Sequence, residues 1–179
     1  MQTQKIKTEL LINGSKATIG HRFLEDIVRD IPDIKENKAI FEVLAKCDNP
    51  DVRESISGKD NLSKKTIHLL LDDENQEVVD NILSNSDLAK KINEDILFRI
   101  IKSDNIKHLS TIASSIDDYA LCNICRVAKI LSNHQNASVR YSLVKWRISD
   151  VITTIILKKL SQDKDIDVAR EAKEELSRR

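Results

Sequence analysis

The sequence predicts an all-α protein built of stacked helical repeats, and three observations support this. Residues 44–61 realign on residues 70–87 when the chain is shifted by 26 positions. With three glycines and two prolines in 179 residues, little interrupts helices. An Asn or Asp stands three residues before a valine in four places: Asn49, Asn75, Asn136 and Asp165. A period in this range is typical of supersecondary units that stack on one another.

These Asn and Asp residues predict helix starts. Their side-chain oxygens accept hydrogen bonds from backbone N–H groups that the first helical turn leaves unpaired. Pro50 follows Asn49 at the first helical position, where a missing N–H costs nothing. Downstream, apolar residues pair at i and i+4, which predicts one buried stripe for each helix. These pairs are Val52 with Ile56, Val78 with Ile82, and Val139 with Leu143.

The same reasoning along the whole chain predicts about twelve helices. They are expected near 3–12, 21–30, 33–46, 50–58, 62–72, 76–84, 88–102, 105–114, 117–131, 137–147, 150–161 and 165–178. Asn13-Gly14 allows a second interpretation of the first of them, because this pair is a strong signal for a two-residue hairpin turn within residues 10–19. The helical surroundings favour the helix there.

No Gly-, Ser- or Pro-rich linker separates these elements, so a single domain over residues 1–179 is predicted. Residues 1–40 are expected to form N-terminal capping helices and residues 41–162 the repeats. Residues 163–179 are expected to form a charged C-terminal capping helix, which closes the apolar end of a repeat stack.

The segments LAKCDNPDVRESIS, DNLS and LLDDENQEVVDNILSNSDLA resemble the leucine-rich repeat variant and the wider HEAT-like group of bacterial helical solenoids. Arg53 and Arg140 match the arginine expected after the repeat valine, whereas Val79 and Ala169 depart from it. The resemblance implies a right-handed α-solenoid, or superhelix. It also implies that such proteins mostly serve as adaptors, while some relatives bind nucleic acid.

Charge is segregated along a chain whose 29 basic and 29 acidic residues balance. Residues 23–118 hold 21 acidic and 13 basic side chains, whereas residues 119–162 hold seven basic residues and one acidic residue. Such a basic segment attracts phosphates, acidic protein surfaces or anionic lipid. Its basic residues are Arg126, Lys129, Arg140, Lys145, Arg147, Lys158 and Lys159.

Two aromatic residues lie within the basic segment. Tyr141 and Lys145 are i and i+4 neighbours, so a helix would place a ring and a cation on one face, suited to stacking. Trp146 and Arg147 complete this candidate binding cluster. The alternative is that Trp146 is buried between repeats while its charged neighbours are solvated.

A second candidate binding element comes from the repeat. Lys64 and Lys65 precede Lys90 and Lys91 by 26 residues, so stacked units would align them in a column that phosphates could follow. The competing interpretation is an ordinary solvated surface, since acidic residues lie close by in sequence.

Cys122 and Cys125 form a C-x-x-C pair on a predicted helix, with His134 nine residues later. A closed metal site needs about four ligands, so packing within the helix core is the favoured interpretation and no metal or cofactor is predicted. No glycine-rich phosphate loop and no nucleophile or acid/base motif occurs, which argues against an enzyme.

The sequence therefore predicts a non-catalytic scaffold or adaptor that binds another protein through one face of the superhelix. Nucleic-acid binding by residues 119–162 is the alternative, and a HEAT-like enzyme, such as a lyase or DNA glycosylase relative, is third. A cytoplasmic protein is expected, because three sparse cysteines suit a reducing compartment and the chain shows neither a signal peptide nor a membrane span.

Overall fold

A computed structural model describes residues 8–119, 124–145 and 154–178. Within these ranges the protein is mostly helical, with twelve α-helices, two short 3-10 segments and one pair of strands. The predicted all-α class is confirmed apart from that pair. The chain divides into two compact units, residues 1–88 and 89–179. The single continuous domain stays a prediction.

The chain enters the first unit through a β-hairpin. Strand β1 (Thr8–Ile12) pairs antiparallel with β2 (Ser15–Ile19). Asn13 and Gly14 form the turn with φ values of 48° and 82°, the left-handed conformation that a type I′ turn requires at both positions. The helix predicted over residues 3–12 is therefore wrong in its described part, and the hairpin alternative is confirmed.

Helices of the first unit pack in chain order in two layers. In one layer α3 packs against both α1 and α5, while α2 and α4 contact each other and α3. A 3-10 turn, Lys35–Asn37, leads into α2, so the helix predicted from residue 33 begins later. The helices are α1 (His21–Asp30), α2 (Lys38–Leu44), α3 (Pro50–Ser57), α4 (Lys64–Leu70), α5 (Gln76–Ser84) and α6 (Ser86–Ala89).

The second unit repeats this arrangement. Helix α10 packs between α8 and α12, α9 contacts α8 and α10, and α11 contacts α12. None of the helices in the described ranges is long and apolar enough to cross a membrane. The helices are α7 (Glu94–Lys102), α8 (Ile106–Ser114), α9 (Ile124–Leu131), α10 (Ala137–Lys145), α11 (Thr154–Leu160) and α12 (Ile166–Arg178).

The four predicted helix caps are present, and Asn105 makes a fifth cap of the same kind. Each cap side chain accepts a hydrogen bond of 2.8–3.1 Å from the backbone N–H two residues later. This satisfies a donor that the helix itself leaves unpaired. The capping residues are Asn49, Asn75, Asn105, Asn136 and Asp165.

The predicted apolar stripe forms the core of each unit. The repeat valines and their i+4 partners are at most 2% exposed. Burying one such side chain contributes roughly 1.5–3 kcal/mol, so these pairs hold successive helices together. They are Val52, Ile56, Val78, Ile82, Val139 and Leu143.

Two further predicted helices differ from the structure in their first residues. The helix predicted over 88–102 begins at Glu94, because the Asn93 side chain accepts a hydrogen bond from the N–H of Ile96 at 2.9 Å and caps a new start. A 3-10 turn, Ile116–Asp118, occupies the start of the helix predicted over 117–131, and the described helical part of that range is Ile124–Leu131.

Candidate binding surface of the second unit

Arg53, which follows a repeat valine, is fully buried in the first unit. Its Nε and Nη2 donate to the Asp73 carboxylate at 2.7 and 3.0 Å, and Nη1 donates to the carbonyls of Cys47 and Asp48 at 2.8 and 3.1 Å. The hydrogen bond to Asp73 raises the pKa of the guanidinium. Arg53 therefore braces the loop before α3 against the loop before α5.

Arg140 makes the same brace in the second unit. Its Nε and Nη2 donate to Asp163, both at 2.7 Å, and Nη1 donates to the carbonyls of His134 and Gln135 at 2.7 and 2.9 Å. Hydrogen bonds from Arg140 hold the pKa of the Asp163 carboxyl below its ordinary value. Arg140 is only 4% exposed, which conflicts with the prediction that it contacts a phosphate.

Sequence reasoning missed the acidic partners of both arginines. Asp73 and Asp163 each stand two residues before a capping residue and accept a hydrogen bond of 2.9 Å from its backbone N–H. A carboxylate at this position, combined with an arginine after the valine of the preceding repeat, is a signal that could have found them. In the repeats that begin at Asn75 and Asp165, Val79 and Ala169 stand at the arginine position.

Two lysines donate hydrogen bonds to backbone carbonyls at the C-terminal ends of helices. Lys59 Nζ donates to the carbonyls of Arg29 and Ile31, both at 2.9 Å. Lys159 Nζ donates to the carbonyl of Ser132 at 3.1 Å and to the side-chain oxygen of Asn133. A cation at a helix C-terminus satisfies carbonyls that the helix leaves unpaired. Lys159, predicted to bind phosphate, thus has a structural contact within the unit.

The other predicted cations of α9 and α11 lie on the surface. Arg126 and Lys129 are exposed on α9, and Lys158 is exposed on α11. Arg126 Cζ lies 4.9 Å from the centroid of the Phe98 ring of α7, a cation–π geometry that orients the guanidinium. The structure thus brings three predicted binding residues onto two helices of one unit.

A groove runs between α9 and α11. Its volume is about 380 Å³, within the range of ligand pockets. The carbonyl and amide contacts of Lys159 join its two walls. We call it the α9/α11 groove. Its lining residues are Cys125, Lys129, Ser132, Asn133, Ile155, Ile156 and Lys159.

No protein-family model matches this chain, and neither a curated protein nor a solved structure is similar to it. The relation to HEAT-like or leucine-rich-repeat-variant proteins therefore stays a prediction from the sequence.

The predicted aromatic and cation pair on α10 is confirmed. Lys145 Nζ lies 5.2 Å from the centroid of the Tyr141 ring. Tyr141 also lines a small pocket with Asp165 and Arg170, between the starts of α10 and α12. Trp146 and Arg147 lie outside the described residues.

The two lysine pairs have different local structures. Lys64 and Lys65 are exposed in the first turn of α4, where Lys65 Nζ lies 3.3 Å from Glu42 Oε2. Lys90 and Lys91 form a turn between α6 and α7, and they belong to the other unit. Their alignment in one column stays a prediction.

Cys125 is exposed, and Cys122 lies outside the described residues. His134 Nε2 is 2.7 Å from Asp104 Oδ1, and its Nδ1 accepts a hydrogen bond from the N–H of Asn136 at 3.1 Å. Accepting at Nδ1 places the proton of the neutral ring on Nε2. Within the described ranges, no three His, Cys, Asp or Glu residues are grouped so that they could hold a metal ion.

Proposed function

We propose that this chain is a non-catalytic helical-repeat scaffold that binds another protein through one face. The observation that carries the proposal is the exposure of large apolar side chains on helices whose other apolar residues already form the core of each unit. Phe23 and Val43 are 69% and 55% exposed in the first unit, and Ile155 is 79% exposed in the second. Phe23 and Ile27 lie one turn apart on α1 and are both exposed. Covering such residues with a partner is favourable.

The braces formed by Arg53 and Arg140 support a scaffold rather than an enzyme. In the pocket that Arg140 and Asp163 line, the guanidinium and the carboxylate bond to each other and to the backbone. Groups held in this way stiffen loops, whereas catalysis needs a proton acceptor or nucleophile open to a substrate. Rigid loops also lower the entropy that the protein loses on binding.

The finer architecture is part of the proposal: a right-handed α-solenoid of HEAT-like or leucine-rich-repeat-variant repeats. Packing in chain order inside each unit and a sequence repeat that runs through both units support it. Small-angle X-ray scattering tests it, because a compact protein of 179 residues has a radius of gyration of about 16 Å. A solenoid requires a larger value, and a value of about 16 Å would contradict it.

Affinity capture from native lysate, with and without nuclease, tests the proposed function. We expect protein partners that persist after nuclease treatment. A chain carrying Phe23→Ser and Ile155→Ser provides the matched comparison, since both side chains are exposed and their replacement leaves the cores intact. The proposal fails if no partner is captured, or if every partner disappears after nuclease treatment.

Nucleic-acid binding is the second candidate. The observation that favours it is the set of exposed cations on α9 and α11, Arg126, Lys129 and Lys158. A gel-shift titration with mixed-sequence DNA and RNA at about 50 and 200 mM salt tests it, because phosphate contacts weaken steeply as salt rises. Absence of a shift at the lower salt concentration would remove this candidate.

A further inference from the structure

The α9/α11 groove combines two properties that together define a class of ligand. Its helices, residues 124–131 and 154–160, carry four basic residues and no Asp or Glu. Within the described ranges, the ammonium groups of Lys129 and Lys158 make no ion pair or hydrogen bond. Lys129 lines the groove, and Lys158 is exposed on α11 three residues after the groove-lining Ile155. Positive charge without a paired acid attracts an anionic partner to this surface.

Apolar side chains accompany these cations. Ile155 lines the groove and is 79% exposed, while Ile156 lies beside it and is almost completely buried. Ile130 of α9 is also exposed. A ligand that carried only charge would leave this apolar surface in water, so the groove suits a ligand with apolar groups next to its charges.

From this combination we propose that the α9/α11 groove binds an acidic peptide segment of the partner protein, with apolar side chains of that segment anchored against Ile155 and Ile156. Its carboxylates pair with Lys129, which lines the groove, and with Lys158, which is exposed on α11 three residues after Ile155. Lys159, whose ammonium joins the groove walls, keeps the groove formed before binding. The inference rests on the proposed function and names the face and the chemistry of the partner.

A peptide fits the groove better than nucleic acid or a membrane. Single-stranded nucleic acid binds through cations interleaved with aromatic rings, and the described lining of the groove contains no aromatic side chain. A membrane surface takes up apolar side chains that project from a helix face. Of the large apolar side chains of α11, only Ile155 is strongly exposed, which is too little for insertion into a membrane.

The test is selection of random displayed peptides on the immobilised full-length chain, followed by fluorescence anisotropy with the enriched peptide. We expect enriched peptides in which Asp or Glu alternates with large apolar residues. The variant Lys129→Glu/Lys158→Glu should weaken their binding at least tenfold and flatten its salt dependence. Ile155→Ser should weaken binding about tenfold while the salt dependence stays unchanged.

The matched control is Lys35→Glu/Lys173→Glu, which makes the same change in net charge at exposed lysines outside the groove. It should weaken binding by about threefold at most, because neither lysine lines the groove and salt screens exposed charges. Circular dichroism of all variants verifies that each chain is folded. Duplex DNA and vesicles containing phosphatidylglycerol serve as competing ligands.

Several outcomes would overturn the proposal: no peptide is enriched, the enriched peptides lack acidic residues, or the control variant weakens binding as much as the groove variant. If no peptide binds, but DNA or vesicles bind and the groove variant Lys129→Glu/Lys158→Glu abolishes that binding, the groove is assigned to DNA or to the membrane instead. Affinity capture from native lysate distinguishes a failure of the groove proposal from a failure of the scaffold proposal. If the groove variant still captures the wild-type protein partners, the groove is not the binding site, although the scaffold function stands.

Discussion

Replacing Arg53 by methionine removes a buried cation while keeping an unbranched side chain of similar length. In the wild-type protein the Arg53 and Asp73 side chains are both completely buried. The substitution leaves the Asp73 carboxylate without its bidentate partner, and it leaves the carbonyls of Cys47 and Asp48 without the Nη1 donor. The loops before α3 and α5 lose the contact that joins them.

The expected loss of stability is large, because a buried charge without its partner is costly. Removing one member of a buried ion pair raises the free energy of the folded state by about 3–5 kcal/mol. A domain has only about 5–15 kcal/mol of stability, so the first unit becomes marginal. At a slope of about 2 kcal/mol per molar urea, the unfolding midpoint falls by about 2 M.

Urea unfolding followed by circular dichroism measures this loss, and hydrogen exchange locates it. We expect faster exchange in α3 and α5, with protection in α10 and α12 unchanged, because the substitution lies in the first unit. Arg170→Met is the control: Arg170 is exposed, and its contact with Asp167 is worth less than about 1 kcal/mol. The double variant Arg53→Met/Asp73→Asn should recover about 1–2 kcal/mol of the free energy of unfolding, since it no longer buries an unpaired carboxylate. If Arg53→Met costs no more than Arg170→Met, the brace is not a stabilising contact and our reasoning fails.

Three further predictions follow from other contacts. Arg140 keeps the pKa of Asp163 below its ordinary 3.8, so this pair stabilises the folded state above about pH 4 and loses that effect as pH falls through the lowered value. Thermal unfolding between about pH 3 and pH 7 should therefore show Asp163→Asn less stable than wild type at neutral pH, with the gap closing on acidification; a constant gap would contradict this. Asn75→Ala removes a cap and should cost about 1 kcal/mol in urea unfolding, whereas a neutral result would mean that solvent replaces the cap. Gly14→Ala places a side chain at a φ of 82°, so NMR contacts between the two hairpin strands should weaken, and unchanged contacts would disprove the strain.

Helix starts and core positions were predictable because both depend on residues close together in sequence. Asn49 can reach the N–H of Asp51 only if a helix begins between them, and such a cap needs no distant partner. Val52 and Ile56 share a face whenever their segment is helical. These signals predicted α3, α5 and α10 to within one or two residues of their observed starts.

Elements with two compatible local structures were harder to predict. Asn13-Gly14 is suited both to a helix end and to a hairpin turn, and strand pairing decided between them. Residues 88–102 were predicted as one helix, but a new helix begins within them. The side chain of Asn93 caps this new helix instead of allowing the preceding one to continue.

The candidate site shows the same limit. Lys129 was identified from charge alone, but nothing local joined it with Ile155, which lines the same groove. The shared groove depends on how α9 and α11 pack, and helices that are separated in sequence become neighbours only through tertiary contacts.

The sequence by itself determined where helices begin and which apolar residues point inward, because hydrogen bonds and side-chain directions within a few residues set both. Only the tertiary structure decided which charged residues are internal. Arg53 meets its carboxylate 20 residues away and Arg140 meets its own 23 residues away, distances at which no helical periodicity connects two side chains. A buried arginine and a solvated lysine look alike in a charge count, and they separate only when packing excludes water from one of them.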